Sequence, residues 1–180
     1  MLGDRRIASV LRVGSSDLVV RDATAADAAA CAALYAPYVV DTTVSFEEEQ
    51  PDAAEMARRI AAAQEHHAWL LAERDGLIVG FAYAGAWRAR SAYRHTCEVS
   101  VYVDASAHGR GIGRTLYTAL LDRMRTAGMR LAVGGTTMPN EASERLHRVL
   151  GFQVVGTFRE VGFKQGRWCD VTWFQKTLAD

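Results

Sequence analysis

The sequence predicts one α/β domain in which a mixed β-sheet carries helices on its faces. Segments with a two-residue apolar period, typical of strands, interleave along the chain with segments whose apolar residues repeat at helical spacing. A glycine-rich run at residues 108–113 follows one strand-like segment and leads directly into a helix-like one. The length of 180 residues allows a single domain of this class to bury a core.

The N-terminal part is predicted to contain one strand and two helices. Residues 1–17 are expected to form a loose extension, partly helical over 7–13, before a single domain at 18–180. Thr24 and Asp27 have the spacing of a capping box at a helix start. The predicted elements are a strand over 18–21, a helix from 25 to about 35 that stops near Pro37, a polar segment over 41–46 that covers a cleft, and a helix from Pro51 to about 65.

The C-terminal part is predicted to contain six strands and two helices. The strands cover residues 68–72, 77–83, 96–103, 131–135, 152–161 and 168–177. One helix follows the glycine-rich run and ends at Gly128, and the other starts at Pro139-Asn140 with Leu146, Val149 and Leu150 as its buried side. Glycines in the fourth of these strands predict splaying or a close backbone approach. The complete order is β-α-α-β-β-β-α-β-α-β-β.

The composition argues against several classes of partner. The 21 basic and 21 acidic residues balance, so no net field attracts nucleic acid or an anionic membrane. Three cysteines form neither an even disulfide set nor a metal-binding spacing, which favours a reducing cytosol. No apolar run follows the first residues, and no stretch is long enough to span a bilayer. We therefore expect a cytoplasmic domain that binds no nucleic acid, membrane or metal.

The run from His108 to Gly113 predicts a binding site for a phosphate or pyrophosphate. Glycines there free backbone N–H groups to point into one concavity at a helix N-terminus, where the helix dipole favours an anion; a plain turn is the alternative. A dinucleotide fingerprint would need glycine where Arg114 stands, and no Gly-Lys-Ser/Thr follows for a Walker A loop. Glu98, upstream on the preceding strand, adds a candidate base.

The element order and several segments spread from about Val20 to Leu178 resemble one known family. The segments are 43–46, 84–93, 98–102, the glycine-rich run, 116–118, 139–140, 145–152 and 162–170. Together they are similar to the GCN5-related N-acetyltransferase (GNAT) superfamily and, within it, to the phosphinothricin N-acetyltransferase branch. The resemblance implies the GNAT acyl-CoA N-acyltransferase fold and transfer of an acetyl group from acetyl-CoA to the amine of a small amino acid analogue.

The resemblance also implies how acetyl-CoA is held. The backbones of Val101, Tyr102 and Val103 would hydrogen-bond its pantetheine arm, and Arg114 would lie close to the pyrophosphate. The pyrophosphate itself would lie on the glycine-rich run, which consists of His108, Gly109, Arg110, Gly111, Ile112 and Gly113. Asn140 matches a family residue near the pantetheine, and a simple helix N-cap is the alternative.

Glu98 and His147 are the candidate catalytic residues. An amino acid amine is mostly protonated at neutral pH, so a group must take a proton before or during attack on the thioester. The resemblance places a glutamate at position 98 as this base, whereas a solvent-facing polar residue is the alternative. His147 stands where many superfamily members have a tyrosine. It could donate or relay a proton, or it could pack beneath the sheet.

The acceptor is expected to bind the loop before the Glu98 strand. Arg88, Arg90 and Arg94 lie there near Tyr93, and arginine forks bind carboxylate, phosphinate or sulfone oxygens. The resemblance assigns Arg90 and Tyr93 to the acceptor, with Phe46 closing the other side, and Arg88 joins them as a candidate because it belongs to the same arginine cluster.

The sequence leaves alternatives for the acceptor, the class of function and the role of the last aromatic residues. Thr136-Thr137-Met138 replaces the more apolar stretch typical of the branch, so methionine sulfone, methionine sulfoximine and other amino acid derivatives stand beside phosphinothricin. A protein N-terminal or ribosomal-protein acetyltransferase and a non-catalytic acyl-CoA-binding regulatory module are the alternative functions. Trp168, Trp173 and Phe174 would belong to the core or bury a two-fold interface, and the resemblance implies a homodimer.

Overall fold

The computed structural model describes residues 11–12 and 18–179, which form one β-sheet between two pairs of helices. The sheet has eight strands in the order β1-β2-β3-β4-β5-β6-β8-β7. The strands are β1 Leu11–Arg12, β2 Leu18–Asp22, β3 Trp69–Arg74, β4 Leu77–Ala86, β5 Thr96–Val103, β6 Leu131–Thr137, β7 Gln153–Lys164 and β8 Arg167–Thr177. The helices are α1 Ala28–Val40, α2 Ala53–His66, α3 Ile112–Thr126 and α4 Glu141–Val149.

The two faces of the sheet are covered by different helices. Apolar residues of α1 and α2 pack with Trp69, Leu71 and Phe81 in one core cluster, whereas those of α3 pack with Ala82, Val99 and other residues in a second cluster. Side chains alternate between faces along a strand. The even-numbered residues of β5 therefore face α1 and α2, and its odd-numbered residues face α3 and α4.

The sheet opens in its middle. β5 and β6 are parallel and pair at only three positions, the last being Glu98 with Val133. β6 continues against β8 along its whole length, from Leu131 opposite Thr177 to Thr137 opposite Val171. Residues beyond Glu98 in β5 therefore lose their neighbour on this side. The splaying expected from the glycines of this segment is confirmed.

The start of the domain contains one element more than the predicted order. Leu11 pairs with Val20 and Arg12 with Val19, so β1 extends the sheet at its edge. Most of the helical stretch expected over 7–13 lies outside the described residues, and the part that is described is a strand. The domain boundary at residue 18 stays a prediction.

Helix α1 differs from the sequence-based expectation because tertiary contacts carry it past a proline. The expected stop near Pro37 is wrong, since the helix continues through Pro37 to Val40. A proline inside a helix removes one backbone hydrogen bond. Here the last turn is fixed from outside: Val39 is buried, and the Tyr38 hydroxyl donates to the Val103 carbonyl at 2.5 Å. Tertiary packing thus outweighs local preference.

The predicted capping box is confirmed and belongs to a larger network. The backbone N–H and the hydroxyl of Thr24 each donate to the Asp27 carboxylate at 2.8 Å. The Arg21 guanidinium binds the same carboxylate through two hydrogen bonds and also contacts Glu73 at 3.0 Å. These contacts lower the pKa of Asp27 to about 2, with the Arg21 hydrogen bond as the main cause.

Candidate active site

The glycine-rich run forms an open concavity at the N-terminus of α3. Gly109 and Gly111 have φ angles of +73° and +76°, a left-handed conformation that other residues adopt only with strain. A Cβ at either position would meet no described atom within 4 Å. The first helical hydrogen bond runs from Thr115 to Gly111, so the N–H groups of residues 112–114 have no helical acceptor. The geometry suits an anion.

The His108 side chain contacts α1 and the end of β5. Its Nε2 lies 2.9 Å from the Val103 carbonyl oxygen and 3.1 Å from the Tyr38 hydroxyl. The carbonyl can only accept, so the imidazole carries its proton on Nε2 for this contact. The side chain therefore ties α1 to the end of β5, and the anion site is left to backbone groups and to nearby Arg110 and Arg114.

The backbone of β5 offers hydrogen-bonding groups along its open edge. The Asp104 N–H donates to the Val79 carbonyl on β4 at 2.9 Å. In an antiparallel ladder alternate residues point to the partner strand, so Tyr102 also directs its backbone groups toward β4. The backbone of Tyr102 is therefore not available at the open edge, contrary to the prediction for this residue. Val101 and Val103 point the other way.

Side chains already occupy part of this edge. The Val99 carbonyl accepts a hydrogen bond from the Tyr117 hydroxyl at 3.1 Å. The Val103 carbonyl accepts from Tyr38. In the described part of the chain, no hydrogen-bond partner is assigned to either backbone group of Val101 on this side. A bound molecule can therefore add to β5 at Val101 like a short strand.

Glu98 lies at the point where the sheet opens. It is the last residue of β5 paired with β6, and it is half-buried on the face covered by α1 and α2. Burial raises the pKa of its carboxyl group, and the positive charge of Arg88 acts in the opposite direction. A carboxylate with a raised pKa is suited to accept a proton near neutral pH. The alternative of an ordinary solvent-facing residue does not fit this burial.

The structure brings Arg88, Arg90 and Tyr93 together. With Trp87 and Ala89 they line a concavity of about 400 Å³, which we call the arginine pocket. The Arg88 guanidinium lies 5.0 Å from the centre of the Trp87 ring, and Trp87 meets Tyr93 edge to face at 5.2 Å. Arg88 and Arg90 are exposed in this pocket, and their guanidinium groups are suited to bind a carboxylate or another oxyanion.

Two residues predicted near the acceptor, Arg94 and Phe46, do not line the arginine pocket. The Arg94 guanidinium bonds back to the Ser91 carbonyl of its own loop at 3.2 Å. Phe46 packs against Gly162 of β7, so closely that a Cβ there would overlap its ring. No described contact joins Phe46 to the arginine pocket, and its predicted place opposite the arginines stays a prediction.

The polar segment that carries Phe46 is anchored to the β7–β8 hairpin. The buried ammonium of Lys164 donates to the carbonyls of Val39 at 2.5 Å and Ser45 at 2.6 Å. Arg167 donates to the Thr43 hydroxyl at 3.0 Å. The segment between α1 and α2 is thus fixed to the β7–β8 hairpin, and its place over a cleft stays a prediction.

His147 lies on the opposite face of the sheet from Glu98. It is buried, stacks on Phe174 with ring centres 4.7 Å apart, and places Nδ1 2.8 Å from the Ser143 carbonyl. That carbonyl accepts only, so Nδ1 carries the proton and the buried Nε2, which has no partner among the described residues, has a lone pair. Burial lowers the pKa of the imidazole. His147 is therefore neutral and can accept a proton at Nε2.

Asn140 is the N-cap of α4. Its side-chain oxygen accepts a hydrogen bond from the Ser143 N–H at 3.0 Å. The Ser143 hydroxyl lies 2.9 Å from the Thr136 hydroxyl, which connects this cap to the end of β6. The capping role is present, and direct contact with a cofactor stays a prediction. The helix buries His147, whereas Val149, expected on its buried side, is 56% exposed.

Sequence reasoning missed a second cavity beside Glu98. It has a volume of about 370 Å³, lies between α2 and the sheet, and is mainly apolar, with Arg59, His66 and His67 as the charged or titratable side chains of α2 and its end in the lining. We call it the aromatic cavity, after the rings of Tyr35, Trp69, Phe81, Tyr83 and Tyr102 in its wall. Aromatic residues at alternate positions of β4 were the available signal. The cavity wall comes from five separate elements, so no local sequence pattern predicts the cavity.

Within residues 11–12 and 18–179, no group of three or more His, Cys, Asp or Glu side chains is placed to hold a metal ion. No helix in the same part of the chain is long and apolar enough to cross a membrane.

A concavity suited to an anion at a helix N-terminus, an open strand edge and a half-buried carboxylate are together typical of an acyl-CoA-dependent acyltransferase site. The model of the acetyltransferase (GNAT) domain family matches residues 20–173. The chain belongs to this family and is an acetyl-CoA-dependent N-acetyltransferase with the GNAT fold.

Individual relatives cover nearly the whole chain. The phosphinothricin N-acetyltransferase of Streptomyces viridochromogenes is 41% identical over 157 residues, which are 87% of this chain and 86% of the relative. The L-methionine sulfoximine/L-methionine sulfone acetyltransferase of Salmonella typhimurium is 36% identical, covering 91% and 96%. A phosphinothricin acetyltransferase of Sinorhizobium meliloti, solved in complex with acetyl-CoA, has a TM-score of 0.87 and 35% identity, covering 90% and 89%.

Proposed function

We propose that this chain transfers the acetyl group directly from acetyl-CoA to the amine of a small amino acid or amino acid analogue, with Glu98 as general base. Acetyl-CoA, when bound, supplies the acetyl group as an activated thioester. The observation that carries the proposal is the position of Glu98, half-buried where β5 and β6 separate and next to Arg88.

Backbone groups hold the donor in this proposal. The N–H groups of residues 112–114 bind the pyrophosphate, and Arg110 and Arg114 add positive charge near it. Val101 binds the pantetheine arm through its unused N–H and carbonyl groups. Tyr102 contributes its ring to the aromatic cavity, since its backbone faces β4.

Glu98 takes the proton that the acceptor amine must lose. Its raised pKa makes the carboxylate a better base than an exposed glutamate, while the charge of Arg88 keeps enough of it ionised. Direct transfer is supported by the state of the nearest thiol. Cys97 is buried and faces α3, and burial raises its pKa to about 12, which makes it a poor nucleophile.

His147 has a supporting role as a proton acceptor. With Nδ1–H donated to the Ser143 carbonyl, Nε2 can receive a proton but has none to give in the resting state. It can therefore relay a proton after receiving one, and it cannot act first as an acid.

The acceptor class follows from the arginine pocket together with the relatives. Arg88 and Arg90 bind the acceptor carboxylate, which places its amine near Glu98. Phosphinothricin, methionine sulfoximine and methionine sulfone, named for the relatives, are the first acceptors to test.

Release of CoA from acetyl-CoA, followed across these acceptors, tests the proposal. Glu98→Gln should lower kcat/KM by about 100-fold or more near neutral pH, the scale of general base catalysis. Glu144→Gln is the matched control, because Glu144 is likewise half-buried but is paired with Arg148 on α4. Parallel double-reciprocal plots would contradict direct transfer, because they indicate a covalent acyl-enzyme. Turnover with a peptide N-terminus alone would contradict the small-molecule acceptor.

We also propose a homodimer that uses the outer face of the β7–β8 hairpin. β7 is an edge strand of 12 residues. Six large apolar side chains of the hairpin are exposed: the five on β7 are 52% to 60% exposed, and the one on β8 is 62% exposed. They are Val154, Val155, Phe158, Val161, Phe163 and Trp168. Phe174 is core by contrast, with no exposed surface. An apolar edge of this length favours association with a second copy.

Sedimentation velocity tests the dimer. Phe158→Lys should give a monomer, whereas Leu77→Lys, at an equally exposed position in the β3–β4 turn region, should not. A monomeric wild-type chain at micromolar concentration would contradict the proposal. The cytosol stays the proposed location, in agreement with three buried, unpaired cysteines among the described residues.

A further inference from the structure

The aromatic cavity lies on the same face of the sheet as the proposed base. Its floor includes Tyr83 and Gly85 of β4, and Gly85 is the residue of β4 that pairs with Glu98. A Cβ at Gly85 would meet no described atom within 4 Å, so the space above this glycine is open. An empty volume of about 370 Å³ exceeds the voids that core packing leaves and falls in the range of ligand sites.

The wall of the cavity selects an apolar occupant. Trp69 stacks on Tyr83 with ring centres 4.4 Å apart and on Phe81 at 5.2 Å, which presents flat, fixed apolar surfaces. Arg59 reaches the rim, but its guanidinium binds Glu47 through two hydrogen bonds of 2.7 and 3.0 Å. A charged group entering the cavity would lose its hydration without gaining that cation.

The cavity and the arginine pocket adjoin each other along the chain. Ala86 lines the aromatic cavity, and Trp87 and Arg88, the next two residues, line the arginine pocket. Glu98 is near both, because its partner in β4 is Gly85, which lines the aromatic cavity and lies two residues before Trp87 of the arginine pocket. One molecule with a carboxylate, an amine and a side chain can therefore reach all three places.

We propose that the aromatic cavity binds the side chain of the acceptor, and that this enzyme prefers amino acids with apolar or aromatic side chains, such as phenylalanine, tryptophan or leucine. The inference rests on the proposed function. The carboxylate binds in the arginine pocket, the amine lies at Glu98, and the side chain packs against Trp69 and Tyr83. A phosphinate side chain, which is charged, is disfavoured in this cavity.

One variant fills the cavity at a distance from Glu98 along the fold. Ala63 of α2 lines the cavity and is half-buried, so Ala63→Leu extends into it. Ala61→Leu is the matched control, because Ala61 lies on the same helix, is exposed, and does not line the cavity.

The experiment measures kcat/KM with acetyl-CoA for phenylalanine, alanine, methionine sulfone and phosphinothricin. We expect phenylalanine to exceed alanine and phosphinothricin by about tenfold or more, the scale of filling an apolar pocket. Ala63→Leu should lower kcat/KM for phenylalanine more than for alanine and so remove most of that preference, while Ala61→Leu leaves the ratio unchanged. Calorimetric titration of phenylalanine into the CoA-bound enzyme should show binding that Ala63→Leu weakens.

The possible failures are distinguishable. Efficient turnover of phosphinothricin or methionine sulfone with no turnover or binding of phenylalanine would overturn the inference and leave the proposed function intact. No turnover of any amino acid would overturn the proposed function. In that case the calorimetric titration alone would test the cavity: binding of phenylalanine that Ala63→Leu weakens would support it as a side-chain site, and no binding would overturn the inference. If Ala63→Leu changed the preference among acyl-CoA donors of different chain length and not among acceptors, the cavity would be a donor site and the inference would be wrong.

Discussion

The Nε2 atom of His147 lies against the backbone of Gly134, so closely that a Cβ at position 134 would be only 2.7 Å away. Gly134 directly follows the last residue of β6 that pairs with β5. The imidazole thus reaches the sheet at the level where it opens, from the face opposite Glu98. A glycine here serves close approach, since its φ angle is ordinary.

Gly134→Ala should displace the His147 ring. Overpacking a buried site typically costs about 1–3 kcal/mol, and we expect a loss of this size in the free energy of unfolding, measured by urea denaturation. Gly156→Ala, in β7 with nothing within 4 Å of the added Cβ, is the control and should be nearly neutral.

A double variant separates this contact from general damage. Adding His147→Ala to Gly134→Ala removes the obstacle, so the combined loss should be smaller than the sum of the two single losses. Strict additivity would show that the alanine methyl finds room without moving His147.

Gly111→Ala tests the anion concavity. The φ angle of +76° strains any non-glycine residue by about 1–2 kcal/mol, and the methyl group also enters the open space at the N-terminus of α3. We expect the KM for acetyl-CoA to rise about tenfold, the equivalent of one lost hydrogen bond. The measurement is the initial rate as a function of acetyl-CoA concentration.

Gly128→Ala is the matched control for this variant. Gly128 has a φ angle of +84° after the C-terminus of α3, and a Cβ there also meets nothing within 4 Å. Both variants should lose similar stability, but only Gly111→Ala should raise the KM for acetyl-CoA. Equal KM values in the two would contradict the pyrophosphate site.

Local patterns predicted the elements that position the site, because their causes are local. The glycine-rich run, the carboxylate upstream of it and the capping box all depend on residues within a few positions of one another. The splaying of β6 could be expected for the same reason. A glycine inside a strand weakens it and often marks a bulge, a bend or the close approach of another group.

The features that were missed depend on distant contacts. Pro37 lies inside α1 because Tyr38 is bonded to Val103, 65 residues away. The buried side of α4 is set by the stacking of His147 on Phe174, which leaves Val149 exposed. The backbone direction of Tyr102 depends on pairing with β4. The periodicity of apolar residues in the sequence does not predict such long-range contacts.

Asp27→Asn should destabilise the fold in a pH-dependent way. The folded-state pKa of Asp27 is lowered to about 2, mainly by its hydrogen bonds to Arg21, so the carboxylate stabilises the fold above its unfolded pKa near 4. The contribution is on the order of 2 kcal/mol at pH 7, and it disappears as the pH falls through the folded value.

Urea unfolding at pH 7 and at about pH 3 measures this difference, with the gap between wild type and variant expected to narrow in acid. Asp122→Asn is the control, because its ion pair with Arg125 is 3.8 Å long and exposed, and such pairs contribute little. A gap that stays constant with pH would contradict the lowered pKa of Asp27, because the contribution of the carboxylate must fall as it is protonated.

The pH dependence of turnover tests Glu98 as the base. Because burial raises its pKa, kcat/KM should fall on the acid side at a higher pH than an ordinary carboxyl group would give. Arg88 lowers that pKa, so Arg88→Gln should move the midpoint of the acid limb to still higher pH, in addition to weakening acceptor binding.

Arg94→Gln provides the comparison within the same loop. The Arg94 guanidinium is bonded to the Ser91 carbonyl, so its loss should leave the midpoint of the acid limb where it is in the wild type. The measurement is kcat/KM for one acceptor from pH 5 to 9 at saturating acetyl-CoA. A midpoint that moves to lower pH in Arg88→Gln, or moves equally in both variants, would assign the acid limb to a group other than Glu98.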